Sequence, residues 1–238
     1  MNKKAKLFLF LIIVYFFIFI FGQLLRLKIS LLNIEITLQA IDIIPLISLI
    51  LYLFGFMKNN NSFRLISVFF ASSFFSLLLS LTLFTKTEII IGSLYLLRLI
   101  SYSTFFLMVS NYINKSTAKK KYLYNILLFV TFIVGFFAWI QFVWFPDLRD
   151  LRYVGWDDHL YRMVGTFLDP TFTAIILVFG YVLSLNKLLY KKENRLFFIV
   201  LLLYFLISVL FTYTRAAYLA LLLITISSVI IYKKVKIN

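Results

Sequence analysis

Apolar residues fill this chain in long runs broken by short polar interruptions. A helix needs about 20 predominantly apolar residues to cross a bilayer. Eight stretches answer to that: 7–27, 38–57, 65–85, 89–113, 122–145, 170–190, 196–213 and 216–232. The pattern predicts an all-α fold, a polytopic transmembrane helix bundle, with residues 1–238 as a single integral membrane domain. The first run follows "KKAK", but its apolar core is too long for a signal peptide and no small-residue cleavage site follows it, so it is expected to stay attached as a span. The run 196–232 is 37 residues long. As one helix it would reach about 55 Å at 1.5 Å per residue, against a hydrocarbon core of about 30 Å. Basic clusters flank both of its ends, so a hairpin with "TYTRA" at the tip is expected, although no Gly or Pro marks the turn.

Charge gives the expected bundle a direction. With the N-terminus in the cytoplasm and one crossing per run, the inner segments hold sixteen basic residues: Lys3, Lys4, Lys6, Lys58, Arg64, Lys115, Lys119, Lys120, Lys121, Lys187, Lys191, Lys192, Arg195, Lys233, Lys234 and Lys236. The outer segments hold seven: Arg26, Lys28, Lys86, Arg149, Arg152, Arg162 and Arg215. That asymmetry predicts both termini in the cytoplasm. It also accounts for the net charge of +15 without nucleic acid, since no basic stretch has a domain attached to present it. Composition agrees with a lipid setting: 63% of residues are hydrophobic, more than a soluble domain usually carries. There is no Cys and one His, which removes thiolate chemistry and argues against a built-in metal site. No cofactor is expected.

Against this background the stretch "GWDDHLYRMVGTFLDPTFTA", Gly155 to Ala174, stands out. It closes the longest expected outer loop, 146–169, between the fifth and sixth spans. Asp169 can cap a helix and Pro170 suits its first position, so the sixth span presents its N-terminus, with free N–H groups and partial positive charge, to the outer face. Arg162 lies just before that terminus and Arg215 at the expected hairpin tip. Each reads either as an interfacial Arg reaching toward headgroups or as a phosphate clamp, because a guanidinium fork matches phosphate oxygens. Arg98 falls inside the fourth span and Asp42 near the outer end of the second. They are expected within ion-pair reach, either as a structural pair or with Arg98 meeting an anionic ligand. His159, beside Asp157, Asp158 and Arg162, is the candidate for an acid–base role. Thr214 and Asp42 join Asp169 as helix-cap or site-support candidates.

These segments carry a resemblance. "FGQLLRL" at Phe21–Leu27, "QAIDIIP", "LYLLRLISY" around Arg98, the R-x-x-G-T-F-x-D-P segment beginning at Arg162, and "TYTRAAYLALLL" at Thr212–Leu223 together resemble the O-antigen ligase / O-antigen polymerase family of bacterial polytopic membrane proteins. The resemblance implies a glycosyltransferase of the bacterial inner membrane, active in lipopolysaccharide or other polysaccharide biosynthesis. Such a protein takes a glycan from undecaprenyl diphosphate at the outer face and passes it to a lipid or glycan acceptor, without a metal. It implies Arg162 and Arg215, and less directly Arg98, as diphosphate-binding residues. Members of that family continue past the hairpin into a large outer loop with a catalytic His. This chain ends at "YKKVKIN", and His159 lies in a different loop, so the expectation is the substrate-binding portion of such an enzyme. The alternative is a non-enzymatic lipid-carrier-binding or transporter-like subunit. The 24-residue outer loop has no counterpart in the first four spans, which argues against the internal repeats of a transporter.

Overall fold

The computed structural model describes residues 3–31, 34–56, 61–114, 116–190 and 194–237, with 28–31, 34–36, 61–65, 154 and 235–237 described by their backbone alone. Lys58, Lys115, Lys191 and Lys192, counted above on the cytoplasmic side, lie outside the described residues. Eight α-helices appear among the described residues: α1 Lys3–Ile20, α2 Ile43–Leu53, α3 Asn61–Ser80, α4 Lys86–Ile113, α5 Thr117–Trp144, α6 Pro170–Tyr190, α7 Arg195–Leu210 and α8 Arg215–Ile237. Each coincides with one predicted run. Four of these segments, Lys86–Ile113, Thr117–Trp144, Pro170–Tyr190 and Arg215–Lys234, are long and apolar enough to cross a membrane. The shorter helices are apolar as well, and large side chains such as Leu53, Val68, Leu83 and Leu196 stand more than two-thirds exposed. Burial of apolar surface is the main drive to fold in water, so a surface of this kind suits a lipid environment.

The pattern is corrected between the first two helices. The short segment expected to link the first two spans, together with two residues from the end of the first and two from the start of the second, forms a two-stranded antiparallel hairpin, β1 Arg26–Leu31 and β2 Ile34–Gln39, in the register Arg26↔Gln39 through Leu31↔Ile34. The fold is helical but not purely so. α2 consequently starts later than expected and spans 11 residues.

The chain divides into two compact units, Met1–Phe19 with Leu25–Lys121, and Ile20–Leu24 with Tyr122–Asn238. In the first, α2 and α3 both pack on α4. Ser48 of α2 is fully buried and meets the Thr104 hydroxyl of α4 at 3.1 Å. Small hydroxyl side chains let two helices approach closely in an apolar setting.

In the second unit α6 is the central helix, flanked by α7 and α8. Leu177, Phe205 and Val209 are fully buried between them. Gly180 makes the closest approach possible: a Cβ there would stand 2.5 Å from the Phe205 ring. The predicted helical hairpin is present, and Tyr213, not a glycine, takes the left-handed conformation in its turn, at φ 52°. The Tyr181 hydroxyl meets Thr225 at 3.0 Å and the Tyr190 ring meets Tyr232 at 5.5 Å. Two such contacts in the same order along both helices make α6 and α8 run in the same direction. Their N-termini therefore share one end of the unit.

Candidate functional site

The loop between α5 and α6 is built onto that end. Its first part is tied back on itself: the Leu148 N–H donates to the His159 carbonyl at 2.8 Å, and the Tyr161 N–H to the Pro146 carbonyl at 2.9 Å. Arg149 grips Asp147 through Nε and Nη2, at 2.9 and 2.7 Å. These bonds to the ionised carboxylate hold Asp147 down to about 2, well below the usual carboxylate range.

Its second part depends on a residue the sequence pattern did not single out. Gln141, one turn from the end of α5, accepts from the Val164 and Gly165 N–H groups at 2.8 and 3.1 Å. Its Nε2 donates to the Phe145 carbonyl at 3.0 Å and reaches the Arg162 carbonyl at 3.4 Å. One amide side chain thus satisfies backbone groups across the bend, which burial would otherwise make costly. Gly165 can take its φ of +64° because it lacks a Cβ, which would stand 3.0 Å from that of Ala138. Thr166 donates to the Ile20 carbonyl at 2.7 Å, and Thr173 of α6 donates to the Val164 carbonyl. "FGQ" takes part too: a Cβ on Gly22 would stand 2.8 Å from the Thr166 carbonyl oxygen. Asp169 then caps α6, its Oδ1 accepting from the Thr171 and Phe172 N–H groups at 2.6 and 3.0 Å.

This loop meets the α7–α8 turn. The Met163 N–H donates to the Phe211 carbonyl at 2.9 Å. Arg162 Nε donates to the Thr212 carbonyl at 3.2 Å, and Nη2 reaches the Tyr213 carbonyl at 3.4 Å. The segments R-x-x-G-T-F-x-D-P and T-x-T-R, fifty residues apart in sequence, form one surface of the second unit. Arg215, exposed, is the first residue of α8. Thr214 is buried and its hydroxyl points at the Thr212 carbonyl at 3.4 Å, while its own carbonyl accepts from Ala217 and Tyr218 to start the helix.

No protein-family model, curated protein or solved structure matches this chain.

His159 lies in the same loop but is 8% exposed. Burial lowers its pKa from the ordinary 6.5, and the Arg162 charge lowers it further, against the opposing pull of Asp157, Asp169 and Asp158. Its imidazole is therefore held neutral. Neutral imidazole is the form a base needs, yet burial limits access to it.

Arg98 and Asp42 belong to the first unit. Arg98 Nε sits 2.9 Å from Asp42 Oδ1, with side chains 38% and 16% exposed. Gln39 and Tyr102 complete the group: Arg98 Nη2 donates to Gln39 Oε1 at 2.8 Å, and the Tyr102 hydroxyl to Asp42 Oδ1 at 2.9 Å. Asp42 stands at the N-cap position of α2 but makes no side-chain cap bond. Its carboxylate is taken by α4 instead, so of the two aspartates expected as caps only Asp169 caps.

Proposed function

We propose that this chain is a membrane glycosyltransferase-like protein of the O-antigen ligase or polymerase type. In this reading it handles glycans linked to undecaprenyl diphosphate at the outer face of the bacterial cytoplasmic membrane, during cell-surface polysaccharide assembly, with a lipid or a glycan as acceptor. One observation supports it above the others. Arg215 opens α8, where the helix's own positive end opposes a cation, and Arg162 lies over the same turn. Neither has an ion-pair partner among the described residues. The N-terminus of α6 adds partial positive charge nearby, with Asp169 as the local carboxylate. Such an accumulation is unfavourable alone and becomes favourable when an anion arrives. A diphosphate offers several oxygens to two guanidinium forks.

The chemistry that follows is displacement at the anomeric carbon of the sugar, with the diphosphate leaving. Fixed Arg charges stabilise the negative charge that develops on it, and a base near the acceptor hydroxyl takes its proton. The burial of His159 favours a second reading, in which this chain binds the lipid carrier without itself transferring the glycan. The accompanying topology has eight crossings, cytoplasmic termini and residues 146–169 outside. Cysteines introduced at Asp150 and Lys119 test it: an impermeant thiol reagent on intact cells should label position 150 and spare 119, and the reverse pattern refutes it.

For the function itself, the full chain in nanodiscs is titrated with undecaprenyl diphosphate and, as a control, undecaprenol. Binding is expected for the diphosphate only. Arg215→Lys should weaken it about tenfold despite retaining the charge, because the fork is lost. Equal affinity for the alcohol and the diphosphate would count against the reading.

A further inference from the structure

The helices of the first unit sort its charge by end. Asp42, at the start of α2, meets Arg98 and Tyr102 of α4, and Ser48, farther along α2, meets Thr104. Contacts in the same order make α2 and α4 run in the same direction. α1 runs against them. Tyr15 packs on Tyr102 and Phe105 of α4, with ring centroids 6.5 and 4.3 Å apart, while Lys4 Nζ stands 5.1 Å from the Phe56 ring, just past the end of α2. The start of α1 and the ends of α2 and α4 therefore share one end of the unit.

That end gathers six lysines. Lys3, Lys4 and Lys6 lie on α1, and Lys119, Lys120 and Lys121 in the first turns of α5, with Lys119 Nζ 4.5 Å from the ring of Tyr112 in the last turn of α4. All but Lys119 are exposed. The acidic residues of the same unit are Glu35, Asp42 and Glu88, and they belong to the opposite end: Asp42 precedes α2, Glu88 is in the first turn of α4, and Glu35 is on β2, which leads into α2. The lysines are thus gathered without a carboxylate from their own unit. Like charges gathered in this way repel one another, and an anionic surface relieves the repulsion.

Two further features select the anion. A lysine ammonium is a point charge without the guanidinium fork that fixes a single oxyanion, so six of them suit a spread of headgroups better than one bound ion. At the end of α2, Leu53 and Phe54 are about three-quarters exposed, which sets apolar side chains beside the cations. Lysine stems lie along apolar surface of this kind while their heads reach outward. A phospholipid offers both halves of that pattern, phosphate above hydrocarbon. A soluble polyanion or an acidic peptide offers only the charge.

We propose that this end of the first unit is a docking surface for anionic phospholipid, with headgroup phosphates against the lysines of α1 and α5 and acyl chains against Leu53 and Phe54. It is independent of Arg162 and Arg215, which belong to the second unit.

The test uses the full chain in phosphatidylcholine nanodiscs with a minor fraction of phosphatidylglycerol. A lysine near an anionic surface contributes about fivefold in affinity, so phosphatidylglycerol should be at least about fivefold enriched among the lipids that stay with the chain after mild extraction. Added salt, which shortens the screening length, should remove the enrichment. A phosphatidylglycerol with a photoreactive headgroup should crosslink to segments 3–6 and 119–121. The triple variants Lys3→Gln/Lys4→Gln/Lys6→Gln and Lys119→Gln/Lys120→Gln/Lys121→Gln should each lower the enrichment severalfold, and their combination should abolish it. Arg at the same positions should preserve it, and Lys86→Gln, at the opposite end, should leave it unchanged. Equal retention of the two lipids, crosslinks confined to other segments, enrichment that survives the combined Gln variant, or displacement by inorganic phosphate at constant ionic strength overturns the proposal. The crosslinks are mapped on the native chain, so misfolding of a variant does not blunt the test.

Discussion

In the first unit Arg98 is held by a carboxylate, and Gln39 and Tyr102 close the group around the pair. In the second, Arg162 is held by two backbone carbonyls, and Arg215 sits exposed at a helix start. The first arrangement compensates its central arginine with a carboxylate and ties two helices together. The second leaves its positive charge without an ion-pair partner among the described residues. An arginine's stability role and its binding role are therefore separable here: removing Arg98 strands a carboxylate, while removing Arg162 takes one donor from the carbonyl of exposed Tyr213 and one from the Thr212 carbonyl, which the Thr214 hydroxyl still reaches.

The comparison breaks most severely if the second unit's loop is undone. Gln141→Leu leaves the Val164 and Gly165 N–H groups without their acceptor. Each buried orphan costs about 1–3 kcal/mol, so a loss of about 2–6 kcal/mol is expected for the two. It should appear as a lower unfolding temperature and as faster hydrogen exchange at residues 162–168. Unchanged exchange there would mean that Gln141 does not hold the loop.

Next in size is the contrast between the arginines themselves. Arg98→Ala should destabilise by about 1–3 kcal/mol, less than a fully buried pair because water reaches this one. Arg162→Ala should cost no more than about 0.5–1.5 kcal/mol while weakening diphosphate binding. Comparison of thermal unfolding of the two variants decides this, and equal losses would erase the distinction.

Much of this layout could be read from the sequence, and the exceptions have physical reasons. Apolar runs located the eight α-helices seen among the described residues, and Asp169-Pro170 marked the start of α6 because cap and first-turn chemistry are local. The β-hairpin was missed although "RLKISL" and "IEITLQ" both alternate polar and apolar residues, the period of a strand. Each is only six residues, too short to stand out between two long apolar runs, which take the outer two residues of each strand and leave the rest as a connecting segment. Gln141 was missed because an uncharged amide within "WIQFVW" interrupts no hydrophobic pattern; its importance depends on a loop that returns to it. The α7–α8 turn gave no glycine signal because Tyr213 itself takes positive φ. Asp42 resembled a cap by position, but a cation on another helix outcompeted its own backbone N–H groups.

A smaller effect sharpens the anion reading. Asp169→Asn keeps an effective cap while removing the carboxylate beside the cationic surface, so stability should hold and diphosphate affinity should rise a few-fold. Asp169→Ala should lose about 1 kcal/mol with the cap. An unchanged affinity in the Asn variant would place the anion away from α6.

The smallest effect is the pH response of the loop. Because His159 has a lowered pKa in the folded state, the unfolded chain takes up its proton first as pH falls. The stabilisation from keeping it neutral is complete above about 6.5 and is lost as pH drops from there through the lower folded value. Thermal unfolding of His159→Gln should lack this part of the acid response; an identical response would assign it to the neighbouring carboxylates.

The central claim is that two segments fifty residues apart act as one clamp, and a double-mutant cycle tests it most directly. Affinity for undecaprenyl diphosphate is measured in nanodiscs for the native chain, Arg162→Ala, Arg215→Ala and the double variant. A single clamp predicts a loss of about tenfold or more in each single variant, with a double loss that departs from the product of the two, since residues sharing one ligand couple by about 0.5–3 kcal/mol. Native affinity in both single variants would contradict it.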